Sequence, residues 1–290
     1  MIYRLPTVRS TFNGFECLGR LASETKDLFF DELILDMSEV NFFDANMAAP
    51  LGAVLARVAD AFNSVDIDAV PSEVARILRK NRFLTRYGYK PLRDGYRTAM
   101  PFRRLRLSGQ SAFEDYVDQW LERKGMPEMS KKARKAFKRK VFEIYQNAVI
   151  HSESDIGVFV CGQFFPKKKR LDFTIADAGI GIRETVRRYF ENDRIGSVRS
   201  LRWALAPHHT TKRGRLPGGL GLQLLKDFTR LNGGKIQIAS RFGFYEYSHG
   251  DENFRKMSAD FPGTAVTIEV NTADESTYVL SDETAWDEIF

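Results

Sequence analysis

Glu143, Asn147 and His151 fall at four-residue steps in EIYQNAVIH, so a helix there carries all three along one stripe. The amide oxygen of Asn147 suits Mg²⁺, and the carboxylate one turn earlier can take a proton from water or from a hydroxyl nucleophile. A Glu and an Asn on a solvated helix are also commonplace, so the stripe gains meaning only beside two other segments. In IADAGIGI (175–182) an apolar run ends at Asp177, with Gly179 and Gly181 close behind. An acid at a strand end can accept a hydrogen bond from an exocyclic amine such as that of adenine, and glycines let backbone approach a ring or a phosphate. The same residues also spell an ordinary Asx turn into a helix. The third segment, PGGLGLQLL (217–225), is a glycine-rich turn opening an apolar helix. Its free N–H groups and positive dipole end form an anion site that Gly218, Gly219 and Gly221 leave open to phosphates.

Between the second and third segments lies PHHTTKRGRL (207–216). It reads either as a surface loop or as a lid in which Thr210, Thr211, Lys212 or Arg213 meets a terminal phosphate. His208 and His209 have no carboxylate or cysteine at metal-ligand spacing. Neither a P-loop nor a strand-first dinucleotide fingerprint is present.

The elements that must position these residues follow from periodicity. Leu33–Met37 and Val65–Val70 read as strands, with a helix over Met47–Phe62 between them and another opened by Pro71 at Ser72–Lys80. Glycines and prolines between Tyr87 and Gln110 interrupt an arginine-rich stretch without sustained period, which marks a linker. Beyond it, helices are predicted at Ser111–Arg123, Lys131–His151, Arg183–Phe190, Val198–Leu205 and Leu220–Leu231. Strands are predicted at Ile156–Phe165, Arg170–Ala176, Lys235–Ser240, Phe242–Tyr247 and Thr264–Val270. Lys167–Arg170 reads as a solvent-facing hairpin turn. Helices adjoining hairpin-joined strands predict an α+β two-layer sandwich preceded by a small α/β unit.

Composition narrows the classes. With 290 residues, 43% hydrophobic and 28% charged, the chain is neither disordered nor a disulfide framework. No apolar run spans a membrane, and the first residues lack the order of a secretory signal, so a cytosolic protein with two reduced thiols, Cys17 and Cys161, is expected. The formal charge is +6, yet Asn271–Phe290 holds six acidic residues and no basic one. A basic body with an acidic tail suits a polyanionic ligand, nucleic acid or an acidic partner. The densest run, KKARKAFKRK (131–140), reads as a solvated helix face or a nucleic-acid surface. The tail folding onto that run as an internal brake is a further expectation.

Taken in order, the three segments resemble the GHKL ATP-binding superfamily, the fold of gyrase, MutL, histidine kinases and anti-sigma-factor serine kinases, over about 131–270. Glu143 to His151 looks like its N box, Asp177 to Gly181 its first glycine box, Gly218 to Leu222 its second, and Gly263–Thr264 its GT pair beside adenine. The resemblance implies a Bergerat-type fold with ATP and Mg²⁺ as cofactors. It implies Asn147 on Mg²⁺, Asp177 on the adenine amine, Gly179 and Gly181 along the nucleotide, and Gly219 and Gly221 around the phosphates, with Thr211 and Lys212 in the lid. Thr264 would lie beside the base, and Glu143 matches the acid of the hydrolytic branch and of the serine kinases. The first segment, LILDMSEVNFFDANMAAPLGAVLARV, is similar to STAS domains, partners of those kinases. Where they present a phosphoacceptor serine, Ala45, Asn46 and Met47 follow Asp44, so a docking or dimerising role is implied instead. The divisions are then 1–90 STAS-like, 91–125 linker and connecting helix, 126–270 the ATP-binding domain and 271–290 the acidic tail.

Three functions are expected in turn. The first is an Mg-ATP-binding regulatory protein with slow hydrolysis, acting on a protein partner. The second is a serine/threonine kinase acting on a separate STAS-like protein, and the third a nucleic-acid-associated ATPase. A histidine autokinase is not expected, since 111–124 holds no histidine. A homodimer through either domain is compatible with the family, and no membrane partner is expected.

Overall fold

The computed structural model describes residues 1–122, 125–206, 209, 221–280 and 283. The first part winds β1 (Ile2–Arg4), α1 (Phe12–Glu24), β2 (Glu32–Asp36), α2 (Ala48–Asp60), β3 (Ser64–Asp68) and α3 (Ser72–Lys80). Its strands form a parallel sheet in the order β1-β2-β3, with Tyr3 opposite Leu35 and Leu35 opposite Ile67. Parallel neighbours need crossovers, and α1 and α2 supply them. The second part comprises β4 (Ala99–Leu105), α4 (Gln110–Leu121), α5 (Lys131–His151), β5 (Val158–Phe165), β6 (Arg170–Asp177), α6 (Gly181–Phe190), α7 (Ser197–Leu205), α8 (Gly221–Asn232), β7 (Lys235–Ser248) and β8 (Asp251–Asn271). Its five strands pair antiparallel in the order β4-β5-β6-β8-β7. The architecture is mixed α+β.

Strand alternation divides two cores. Leu171, Phe173 and Ile175 of β6 face α4, α5 and α8, where Trp120 stacks on Phe173 at 4.7 Å and Phe113 on Tyr145 at 4.2 Å. Residues 172, 174 and 176 face the other way, toward α1 and α2. There Phe15 packs on Phe244 and Phe261, and Phe102 on Phe83 and Phe159. The α1/α2 layer thus lies between the two sheets, and its core includes buried residues of both.

That second interface is also polar. Arg170, on the turn expected to face solvent, is instead largely buried, with Asp44 at 2.8 Å, Asp172 at 3.1 Å and Glu269 at 3.5 Å. Asn46 Nδ2 donates to Thr174 Oγ1 (3.0 Å) and Ser10 Oγ (3.2 Å), and Ala45 N donates to Gln163 Oε1 (2.8 Å). The segment Ala45–Met47 is buried in this way against β5 and β6.

Several elements differ from the sequence reading. Within 91–125, read as linker and connecting helix, α4 is the expected helix, but the segment before it holds an edge strand, β4, whose register shifts between Met100 and Arg103, around Pro101. Proline has no N–H for a ladder and is tolerated at an edge or a bulge. The runs 235–240 and 242–247, read as separate strands, are one strand, β7. Its ladder with β8 is kept across register shifts at Ser240–Gly243, and β8 begins thirteen residues before Thr264. The pair turns at His249 and Gly250, both at positive φ, the geometry of a tight two-residue hairpin. β1 and α1 had no counterpart in the sequence reading. The tail docks at the start of α5: Ser130 N–H donates to Tyr278 O (2.8 Å), Tyr278 N–H to Glu128 O (2.8 Å), and Ser130 Oγ to Glu283 Oε2 (2.6 Å). Among the described residues no helix is long and apolar enough to cross a membrane.

Candidate functional site

α5 starts where Ser130 Oγ accepts from Ala133 N (3.0 Å), satisfying a free helix-start donor. Phe137, Val141, Tyr145 and Ala148 form its buried stripe, which leaves Glu143, Asn147 and His151 along the flank. Asn147 is exposed, while Glu143 and His151 are half-buried. The Glu143 carboxylate is held by Lys140 Nζ at 2.9 Å, with Arg139 at 3.7 Å.

The helix delivers its flank to the Asp177 turn through its C-terminal end. Ser152 follows the last turn of α5, and its carbonyl accepts from Ile180 N–H at 2.8 Å. A Cβ at Gly179 would lie 2.0 Å from that same oxygen, so only glycine fits between Asp177 and the end of α5. Gly181 sits at φ +74° and Gly263 at φ +75°, both in the left-handed region. A Cβ at Gly181 would meet Gly263 O and Ser240 Oγ at 2.8 Å, and one at Gly263 would lie 2.5 Å from Asp177 Oδ1. These close approaches lock the β6 end, the α6 start and the β8 turn together.

Asp177 is the chemical centre of that junction. As an odd-numbered residue of β6, it belongs to the sheet face that carries α5, opposite the face that holds Asp44–Met47. Its side chain accepts from the N–H of Gly179 (2.9 Å) and from the N–H of Thr264. Burial nevertheless dominates those two bonds and pushes its carboxyl up to about 7. Two donors leave a carboxylate with acceptor capacity to spare.

The structure therefore brings Asp177, Gly179, Gly181 and Thr264 together, and places Asn147 one turn from the helix end that meets them. It does not bring Glu143 to Asp177; two further helical turns and an ion pair with Lys140 intervene. Gly221 opens α8, which packs on α5 through Phe228 against Phe137, ring centroids 5.0 Å apart. Thr211, Lys212 and Gly219 lie outside the described residues. His209 stacks on Trp203 at 5.1 Å, and among the described residues no group of three or more His, Cys, Asp or Glu converges for a metal.

Two members of the junction escaped the sequence reading. Ser240 Oγ accepts from Ile182 N (2.9 Å), donates to Gly263 O (2.9 Å) and lies 3.1 Å from Thr264 Oγ1. Ser152 fixes the glycine turn through its carbonyl. A lone serine in a strand and a backbone acceptor leave no mark in residue spacing. The chain matches no protein-family model and no curated protein at a significant level.

Proposed function

We propose that the chain is an Mg-ATP-binding regulatory protein with a GHKL-type site, in which a STAS-like module is docked in cis. The observation that carries the reading is the junction itself. A buried carboxylate with spare acceptor capacity is fixed at a strand end by Gly179 and Thr264, and the helix bearing Asn147 ends against the same turn. Asp177 is suited to accept from the adenine amine, and Thr264 stands beside it. Asn147 is exposed and one turn from the junction, free to offer its amide oxygen to a magnesium ion that the phosphates bring with them. When bound, Mg-ATP supplies an electrophilic terminal phosphoryl group. Glu143, two turns back from the helix end, is the residue to orient or deprotonate a nucleophile.

Regulation is favoured over phosphorylation of the chain's own module. Asp44–Met47 carries no hydroxyl, lies buried against β5 and β6, and occupies the opposite sheet face from Asp177. Transfer to a separate protein remains the competing enzyme activity, and a single assay distinguishes it. In calorimetric titration, ATP is expected to bind with Mg²⁺ and to lose at least tenfold in affinity in Asp177→Asn and in Asn147→Ala. Absence of binding at millimolar ATP would remove the proposal. With γ-labelled ATP, slow release of free phosphate that disappears in Glu143→Ala marks hydrolysis, whereas label on an added STAS-like protein marks the kinase.

A further inference from the structure

β4 and the loop joining α5 to β5 border an open groove of about 610 Å³ that none of the residues assigned to the site above lines. It is lined by Arg86, Arg104, Arg106 and Asp155, with apolar Leu105 and Ile156. Three arginines thus line the groove against a single acidic residue. None of the three forms an ion pair among the described residues, whereas Arg170, Arg183, Arg187 and Arg241 all do. Two are braced without being neutralised. Arg104 Nε donates to Ile156 O at 2.5 Å, and its guanidinium lies 5.8 Å from the Phe159 ring centroid. Arg86 lies 5.3 Å from the Phe102 ring centroid.

We infer that this groove is a binding site for small organic phosphates. Planar guanidinium forks match phosphate oxygens two at a time, and braced forks lose less freedom on binding than loose ones. The volume suits a ligand of several tens of atoms at most, and Leu105 and Ile156 give its organic body an apolar wall. Concentrated unpaired positive charge repels itself, so an anion is the occupant that relieves it. The site adjoins the Asp177 junction through Val158, which pairs with Leu105 on one side and Asp177 on the other, but it does not rest on the ATP reading.

The probes are pyrophosphate and phenyl phosphate, titrated calorimetrically at low ionic strength with EDTA present. Both are expected to saturate, phenyl phosphate through its ring as well as its charge. Arg86→Ala/Arg106→Ala should weaken both by at least about tenfold, since each removes charge-assisted hydrogen bonds. Those residues are exposed, and circular dichroism checks that the variant keeps its fold. Arg104→Lys keeps the charge but loses the fork, and an intermediate loss is expected. Lys135→Ala/Arg139→Ala, on the basic face of α5, should leave binding unchanged. The inference is overturned by a lack of saturation at millimolar ligand or by equal affinity in all variants. It is equally overturned by a loss that follows the α5 lysine and arginine, which would mean diffuse charge attraction.

Discussion

Asp177 carries opposite demands from folding and from binding. Its ordinary value of 3.8 is pushed up to about 7 chiefly by burial, against which the Gly179 and Thr264 N–H groups act. Between those values the folded chain holds a proton that the unfolded chain has released. The contribution of this group to stability is therefore fully present below 3.8 and is lost as pH rises through about 7. At ~1.4 kcal/mol per tenfold in proton affinity, the cost above neutrality is a few kcal/mol at most. Asp177→Asn keeps an oxygen for the two N–H donors and removes the ionisation. The variant should melt higher than the wild type at pH 8 and no higher near pH 4, as thermal denaturation at the two pH values would show. The ionised carboxylate is the stronger acceptor for an adenine amine, so wild-type ATP affinity should weaken as pH drops below about 7. A wild type more stable than the variant at pH 8 would mean that the carboxylate is held by interactions strong enough to outweigh its burial.

At the scale of elements, the contact between α2 and the five-stranded sheet depends on one missing side chain. A Cβ at Gly52 would come within 2.5 Å of the Phe102 ring, which is itself wedged between Phe83 and Phe159. Gly52→Val should therefore cost about 1–3 kcal/mol through overpacking, read as a lower midpoint in denaturant. Gly196→Ala, where a Cβ meets open space, should cost little. Gly52 looks unremarkable in LGAVLARV, because its partner Phe102 comes from a distant strand. The same reason separates what was legible in the sequence from what was not. α2, α3 and α5 through α8 show their 3.6-residue period within a single window, and β6 runs apolar into Asp177 because both its faces are buried. β4 and the first half of β8, DENFRKMSADFPG, are strands because of what they pair with. Their own residues are polar or broken by Pro101 and Pro262, and tertiary pairing overrides weak propensity. The glycines of the Asp177 turn were visible as glycines, but the atoms that require them, Ser152 O, Gly263 O and Ser240 Oγ, lie across the fold.

For the whole molecule, the decisive feature is the buried ionic cluster on which the N-terminal α/β module rests. Asp44 comes from that module, Arg170 and Asp172 from β6, Glu269 from β8, and Lys235 of β7 lies 3.2 Å from Glu269. Burial holds Asp172 well above the usual carboxylate range despite Arg170. Apolar residues of both sheets surround this cluster in one shared core, so the N-terminal part has no core separate from the five-stranded sheet, whose other face carries a second core under α4, α5 and α8. The chain should accordingly unfold in a single calorimetric transition rather than in two. Arg170→Leu should lower that transition as a unit, by ~3–5 kcal/mol, because it strands carboxylates in a buried site. The loss should be smaller at pH 5 than at pH 8, since proton uptake by Asp172 relieves part of the uncompensated charge. Separate melting of residues 1–90, with the rest of the chain still folded, would mean that the module is a passenger on the sheet. A cis-docked regulator would then lose its structural basis, whatever the nucleotide site proves to bind.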